Sequence, residues 1–361
     1  MSAVHQFIPS FVSRDAIGAH TLQVRSVLQE MGLRSEVFAE NTSPDLEPHS
    51  RPYESYRPKP GDWLLYQAST GSKVAEYLLG RPEPQIVNYH NVTPASTFGR
   101  WEPRLADEMA DGRRQVAKLA SVARHGLAVS QYNEAELKEM GYRSTSVTPL
   151  LLDFSTFDHD VDRPTLDWLS RLRDRGGASI LFVGRIAPNK AQHDLVKALI
   201  AYRTLYDPAA RLHLVGGASS PAYFDALRRF VGHTGVRDSV DFAGSVSDAV
   251  RSSYFRGADV LLCLSDHEGF CVPLLEAMYN GLPIVAYASS AIPETLQGAG
   301  ILLDSKEPVV VAAALHRVLS DEALRSRLVE AGRRRLADFS LDRTRRTFAE
   351  AISAVLAEGA G

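Results

Sequence analysis

Cysteine is nearly absent: Cys263 and Cys271 are the only two in 361 residues. That excludes a disulfide-stapled scaffold and fits a reducing, cytoplasmic setting. No run approaches the ~20 apolar residues of a spanning helix. The opening stretch MSAVHQFIPSFVSRDAIG has neither a charged n-region nor a long apolar core, so no secretory signal is read. Basic charge is not in excess either. The formal balance is −3 and neither half departs from it, which argues against nucleic acid as a partner. The chain also lacks G-x-S-x-G and G-x-G-x-x-G, which weakens hydrolase and dinucleotide-dehydrogenase readings.

What the chain does contain is ordinary for a globular protein: 45% apolar and 23% charged residues. Its length favours two domains. From residue 178 onward short apolar runs (ILFVG, RLHLVGG, SVDFAG, DVLLCLS, PIVAYA, GILLD) alternate with helical segments such as AQHDLVKALIAYRTLY. Strands apolar throughout, separated by helices, predict a parallel sheet covered on both faces. The first half repeats this less cleanly, with strands expected at 3–8, 34–38, 63–67, 85–90, 126–130 and 144–148, and with a long helix near Arg104 to Arg124. PLLLDFSTFDHDVDRPTLDW, from Pro149, fits neither period. The expected layout is therefore an α/β domain over 1–152, a connection over 153–177, a second α/β domain over 178–338 and a C-terminal helix over 339–361. Open α/β sheets bind ligands at the carboxyl ends of their strands, so the loops there carry the chemistry.

One such loop is Gly184-Arg185-Ile186-Ala187-Pro188-Asn189-Lys190, between a strand and a helix. Free N–H groups, a helix dipole and two cations make an anion site. Another is EGFCVPLLE, Glu268 to Glu276, where two carboxylates bracket an apolar run. Pro273 suits a first helical turn, which puts Glu276 in the helix and Glu268 in the loop before it. Buried unpaired, either carboxylate would be costly, so both need hydrogen-bonding or cationic partners. Carboxylates repel phosphate but accept hydrogen bonds from vicinal hydroxyls. A ligand with hydroxyls at both ends and a diphosphate between, such as a nucleotide sugar, suits this pattern.

With its Glu-x7-Glu spacing and the surrounding GRIAPNK, LVGG, SDHEGFCVPLLEAMYNGLPIVAYASSAIPET and GILLD, the chain resembles glycosyltransferase family 4 from about Ile180 to Asp304. The resemblance implies a GT-B fold, two Rossmann-like doubly wound domains facing a central cleft, with the C-terminal helix crossing back to the first domain. It also implies a retaining, metal-independent hexosyltransferase using a UDP- or GDP-sugar. The acceptor would be a hydroxyl of a glycan, lipid-linked glycan or small molecule, bound by the first domain. By the same resemblance Arg185 and Lys190 hold the diphosphate, Glu276 the ribose and Glu268 the donor sugar. Gly184, Gly216, Gly269, Phe270 and Cys271 complete the donor site, and Val246, in GSVSD, meets the nucleobase. In the first domain Gly18 corresponds to the family's glycine loop, with His20 beside it, and His90 to a histidine next to the transferred sugar. The family has glycine where Cys271 stands.

Other readings carry less. Asp158-His159-Asp160-Val161-Asp162 lacks the glycine and closing glutamate of a calcium loop, and both cysteines are expected to serve packing. The basic helix residues Arg113, Arg114, Lys118 and Arg124 suggest peripheral membrane contact, diluted by Asp107, Glu108 and Asp111. A nucleotide-sugar epimerase and a non-catalytic sugar-nucleotide-binding module are the alternatives to transfer.

Overall fold

The computed structural model describes residues 3–13 and 15–358; residues 1, 2, 14 and 359–361, ends and one position of the expected first domain and last helix, lie outside the described residues. The chain forms two compact units.

The first unit runs β1 (Ala3–Phe11), α1 (Ala16–Glu30), β2 (Val37–Thr42), β3 (Arg51–Pro52), β4 (Asp62–Ala68), α2 (Lys73–Leu79), β5 (Gln85–Tyr89), α3 (Pro103–Leu119), β6 (Ala123–Ala128), α4 (Gln131–Glu139) and β7 (Thr145–Val147). Its strands form one parallel sheet in the order β3-β2-β1-β4-β5-β6-β7. The long helix ends at Leu119 rather than Arg124, because Ala123 onward pairs with β5 as an inner strand. Strand β3, only two exposed residues, carries no apolar signal and was not expected.

The second unit contains α5 (Arg163–Asp174), β8 (Ser179–Val183), α6 (Gln192–Leu205), β9 (Arg211–Val215), α7 (Pro221–His233), β10 (Val240–Gly244), α8 (Asp248–Gly257), β11 (Val260–Cys263), α9 (Val272–Tyr279), β12 (Ile284–Tyr287), α10 (Ile292–Leu296), β13 (Ile301–Leu303), α11 (Pro308–Ser320) and α12 (Glu322–Leu336). All six apolar runs become strands of a parallel sheet ordered β10-β9-β8-β11-β12-β13. Helix α13 (Leu341–Glu358) belongs to the first unit, where Phe348, Ile352 and Val355 join Val24, Leu28 and Leu151 in its core. Burying each such side chain contributes about 1.5–3 kcal/mol, which anchors the chain end.

Residues 154–177 are not a free connection, since they lie within the second unit. Asp162 caps α5 by accepting from the Thr165 N–H (2.9 Å) and hydroxyl (2.6 Å), and Pro164 sits in the first turn. Leu169 packs against Gly257 of α8 so closely that a Cβ there would lie 2.6 Å from Leu169 Cδ1. Only Leu169 of this helix is buried, so its apolar stripe was too narrow to register as a period.

In the second sheet the strand order reverses between β8 and β11. Such switch points open a crevice at the carboxyl ends. Gly184 and Gly216, which follow β8 and β9, have φ of 153° and 147°. A Cβ on Gly216 would fall 2.1 Å from the Gly184 carbonyl oxygen. Gly216→Ala is expected to destabilise the unit by about 3 kcal/mol or more, through backbone strain and overpacking together. The midpoint of urea unfolding measures this, and an unchanged midpoint would contradict the close approach.

Candidate functional site

The loops after β8 and β11 meet at the switch point. After β8 the chain makes a short 3-10 turn, Pro188–Lys190, and Ala191 takes a left-handed conformation (φ 49°) before α6 begins. After β11 it runs through Ser265 to Cys271 into α9, with Pro273 in the first turn. The two loops are bonded together: the Asp266 N–H donates to the Asn189 carbonyl at 2.8 Å, and Asn189 Nδ2 to the His267 carbonyl at 3.4 Å.

Lys190 Nζ lies 2.6 Å from a carboxylate oxygen of Glu268, and both side chains are largely buried. The loop holding Glu268 is fixed through its backbone. Its N–H donates to Ser290 Oγ at 2.7 Å, its carbonyl accepts from Ala291, and the Phe270 carbonyl accepts from Thr295 Oγ1 at 2.7 Å. Arg185 is exposed and, among the described residues, is the cation of this loop with no ion pair. A free guanidinium beside a preformed lysine–glutamate pair suits an incoming anion.

Glu276, in α9, is 5% exposed. Its partner is Arg251 of α8, whose Nε lies 3.2 Å from Glu276 Oε1 while an Nη holds Asp248 at 3.1 Å. Burial pushes the Glu276 carboxyl above its usual range, opposed by Arg251 and assisted by Asp248. Arg251 went unnoticed in the sequence because its partner is 25 positions away on another helix, with no spacing signal. Gly244, at the end of β10, has φ 69°. Val246 follows it in the loop before α8, half-buried and next to the Ser247 cap.

Lys306 is a second unforeseen member. It bridges Asp194 of α6 (2.8 Å) and Asp266 (2.5 Å), beneath the Tyr287 ring face. It ties the start of α6 to the loops after β11 and β13.

Gly269 and Phe270 lie in the Glu268 loop, and Cys271 is buried at the helix cap with φ 68° and ψ 64°. That is the left-handed region where glycine carries no Cβ penalty, so the family's glycine at this position has a backbone reason. Cys271 Sγ is 3.9 Å from Cys263 Sγ.

In the first unit Gly18 is not in a loop but in the first turn of α1, and a Cβ there would lie 2.5 Å from the Val12 carbonyl oxygen. The missing side chain serves packing of the chain on itself. His20 is fully buried and receives the Leu151 N–H on Nδ1 (3.0 Å); burial lowers its pKa to about 3. His90, just after β5, bonds Gln67 Oε1 through Nε2 at 2.6 Å. The orientation is set from the backbone: Gln6 Nε2 donates to the Thr21 carbonyl, so Gln6 Oε1 accepts from Gln67 Nε2, and Gln67 Oε1 faces His90. His90 Nε2 therefore carries the proton, leaving Nδ1 as a buried acceptor with no hydrogen-bond partner among the described residues. Burial, then His20, holds His90 well below the usual histidine range, so it is neutral.

The other candidates are otherwise engaged. Asp158 pairs with Arg256, Asp162 caps α5, and His159 faces Asp248. Arg113 turns inward to Glu136 (2.8 Å) and Arg114 pairs with Asp111. No helix among the described residues is long and apolar enough to cross a membrane.

Residues 170–335 match the family model described as glycosyl transferases group 1. Over that stretch the chain is similar to the group 1 glycosyltransferases. A D-inositol 3-phosphate glycosyltransferase of Salinispora arenicola is 34% identical over 299 residues, 78% of this chain and 61% of that protein. A GDP-mannose-dependent alpha-(1-6)-phosphatidylinositol monomannoside mannosyltransferase of Mycobacterium tuberculosis is 33% identical over 164 residues, 43% of this chain and 42% of that one. The chain spans less than two thirds of the length of these relatives. Among solved structures, Anabaena HepE in complex with UDP and glucose aligns over 98% of this chain and all of its own, with a TM-score of 0.76 at 18% identity. That likeness shows the fold, GT-B, with two Rossmann-like α/β units.

Proposed function

We propose that the protein is a retaining glycosyltransferase that moves a hexosyl group from a UDP- or GDP-sugar to a hydroxyl of a glycan, lipid-linked or small-molecule acceptor, without a metal ion. The observation that carries this reading is the pair of buried carboxylates, Glu268 and Glu276, each already neutralised by its own cation at the carboxyl end of the second sheet. Two such pairs in one unit, together with the exposed Arg185 in the loop after β8, suit a ligand that is polyhydroxylated at both ends and anionic in the middle. The names of the relatives, which include an inositol 3-phosphate glycosyltransferase and a GDP-mannose-dependent mannosyltransferase, support the same class.

In this reading Arg185 and Lys190 bind the diphosphate and stabilise the charge that grows on the leaving oxygen. When the diphosphate draws Lys190 toward it, Glu268 is released to accept from the sugar hydroxyls. Glu276 accepts from the ribose, the backbone near Val246 meets the base, and Gly184, Gly216, Gly269, Phe270 and Cys271 line the donor. His90, neutral and held by its bond to Gln67, is assigned beside the transferred sugar as a hydrogen-bonding group, not as an acid. No side chain here is assigned as nucleophile: the departing phosphate oxygen takes the acceptor proton while the new bond forms on the same face. The first unit binds the acceptor, and the place of action is the cytoplasm or the inner face of its membrane.

A panel of UDP-, GDP-, ADP- and dTDP-sugars tests this by binding and by slow hydrolysis, followed by transfer to glycan and inositol-phosphate acceptors. At least one donor is expected to bind in the micromolar range and to turn over only with acceptor. Isomerised donor without acceptor would mark an epimerase, binding without any turnover a non-catalytic module, and no binding at all would sink the reading.

A further inference from the structure

Beside the Lys190–Glu268 pair, the two thiols that sequence reasoning assigned to packing form a third feature of the same loop. We propose that Cys263, Cys271 and Glu268 make a binding site for one thiophilic divalent cation of the zinc class, and that its occupation withdraws Glu268 from Lys190 and shuts the donor site. The cation site stands on its own geometry; only the inhibitory consequence rests on the donor reading.

The geometry is that of three ligands around a common point. Both sulfurs and a Glu268 carboxylate oxygen lie within 4.8 Å of one another. With zinc–sulfur bonds of about 2.3 Å, a tetrahedral centre sets its sulfurs about 3.8 Å apart, and here the separation is 3.9 Å. A disulfide would need the sulfurs at about 2.05 Å. That approach is resisted from both sides: Cys263 is held in the inner strand β11, and Cys271 between the Phe270 carbonyl, bonded to Thr295, and the start of α9. Ser265 Oγ, 3.5 Å from Cys263 Sγ, is placed to donate a hydrogen bond to that sulfur as a thiolate. Three protein ligands leave a fourth position for water, and the sulfur-rich set selects a soft cation over magnesium or calcium.

Charge balances as well. Each thiol gives up its proton to solvent on coordination, so two thiolates offset the dication. The Glu268 carboxylate and the Lys190 ammonium still cancel, with the ammonium now displaced outward. A cation and the hydroxyls of a donor sugar thus compete for one carboxylate.

Cadmium is the probe, because cadmium–thiolate bonds absorb in the ultraviolet. The 361-residue chain, freshly reduced and metal-free, is titrated with Cd²⁺, and Zn²⁺ is then added as competitor. The expected result is absorption that saturates at one equivalent and reverses with Zn²⁺. It should vanish in Cys271→Gly, which also removes the left-handed strain, and in Cys263→Ser, while Glu268→Gln weakens binding by more than about tenfold. Circular dichroism establishes that each variant is folded. No thiolate absorption from the folded, reduced protein, or undiminished absorption in Cys271→Gly, overturns the site; so does a Cys263–Cys271 disulfide forming in air from protein that binds no Cd²⁺ when reduced. A nucleotide sugar that binds is expected to shift the Cd²⁺ midpoint upward. Protein that takes up Cd²⁺ but binds no nucleotide sugar would overturn the donor reading while leaving the cation site standing.

Discussion

Lys190→Ala is expected to lower sugar transfer by about 10²- to 10³-fold, the usual loss when one preorganised stabiliser of a developing negative charge is removed. The effect should fall mainly on kcat, because the charge that Lys190 meets is greatest as the phosphate departs. Removing the lysine also strands Glu268, whose side chain is only 10% exposed. A largely buried carboxylate without its cation costs a few kcal/mol, so a lower melting temperature is expected too. The double variant Lys190→Ala/Glu268→Gln separates the two consequences: it should recover most of the stability and none of the turnover. Wild-type kcat in the single variant would remove Lys190 from the site.

The second large effect concerns Glu276. Glu276→Gln is expected to weaken nucleotide binding by roughly 10- to 100-fold, since hydrogen bonds to a charged acceptor contribute about 1.5–3 kcal/mol. The pH dependence has a definite sign. Burial raises the Glu276 pKa, and only the ionised form accepts from both ribose hydroxyls, so affinity should rise as pH rises through that elevated value. Stability runs the other way. A carboxyl whose folded pKa exceeds its unfolded one stabilises the fold at acid pH, and that contribution is lost as pH rises through the folded pKa. Arg251→Ala removes the charge that opposes the shift, so the acid limb of the affinity profile should move to higher pH. Calorimetric titration with UDP and GDP across pH, on wild type, Glu276→Gln and Arg251→Ala, checks the affinity predictions, and thermal unfolding across pH checks the stability one. An acid limb that persists in Glu276→Gln would assign it to another group.

Much of the second unit was legible from residue order alone. Its strands are apolar on both faces, so each reads as a continuous run, and the glycines ending β8, β9 and β10 punctuate them. The first unit was less so. Strand β3 is two exposed residues with no apolar run to mark them, and the Arg104–Arg124 run overshot because no breaker separates α3 from β6. Helix α5 was hidden for a related reason: one buried leucine does not make a period, although the Asp162-Arg163-Pro164-Thr165 cap was there to be read.

The sequence by itself determined the covalent spacing that matters: Glu268 and Glu276 eight positions apart across a loop and a helix start, and Arg185 with Lys190 after a strand. Such local spacing survives folding because each group rides on one strand–loop–helix unit. Only the tertiary structure decided the partners. Arg251, Lys306 and the Cys263–Cys271 contact come from separate strands and helices brought together at a switch point, and a carboxylate's protonation and reach depend on those neighbours. The same holds for Cys271, whose left-handed backbone explains why glycine suits the position, and whose distance to a second sulfur no spacing rule could supply.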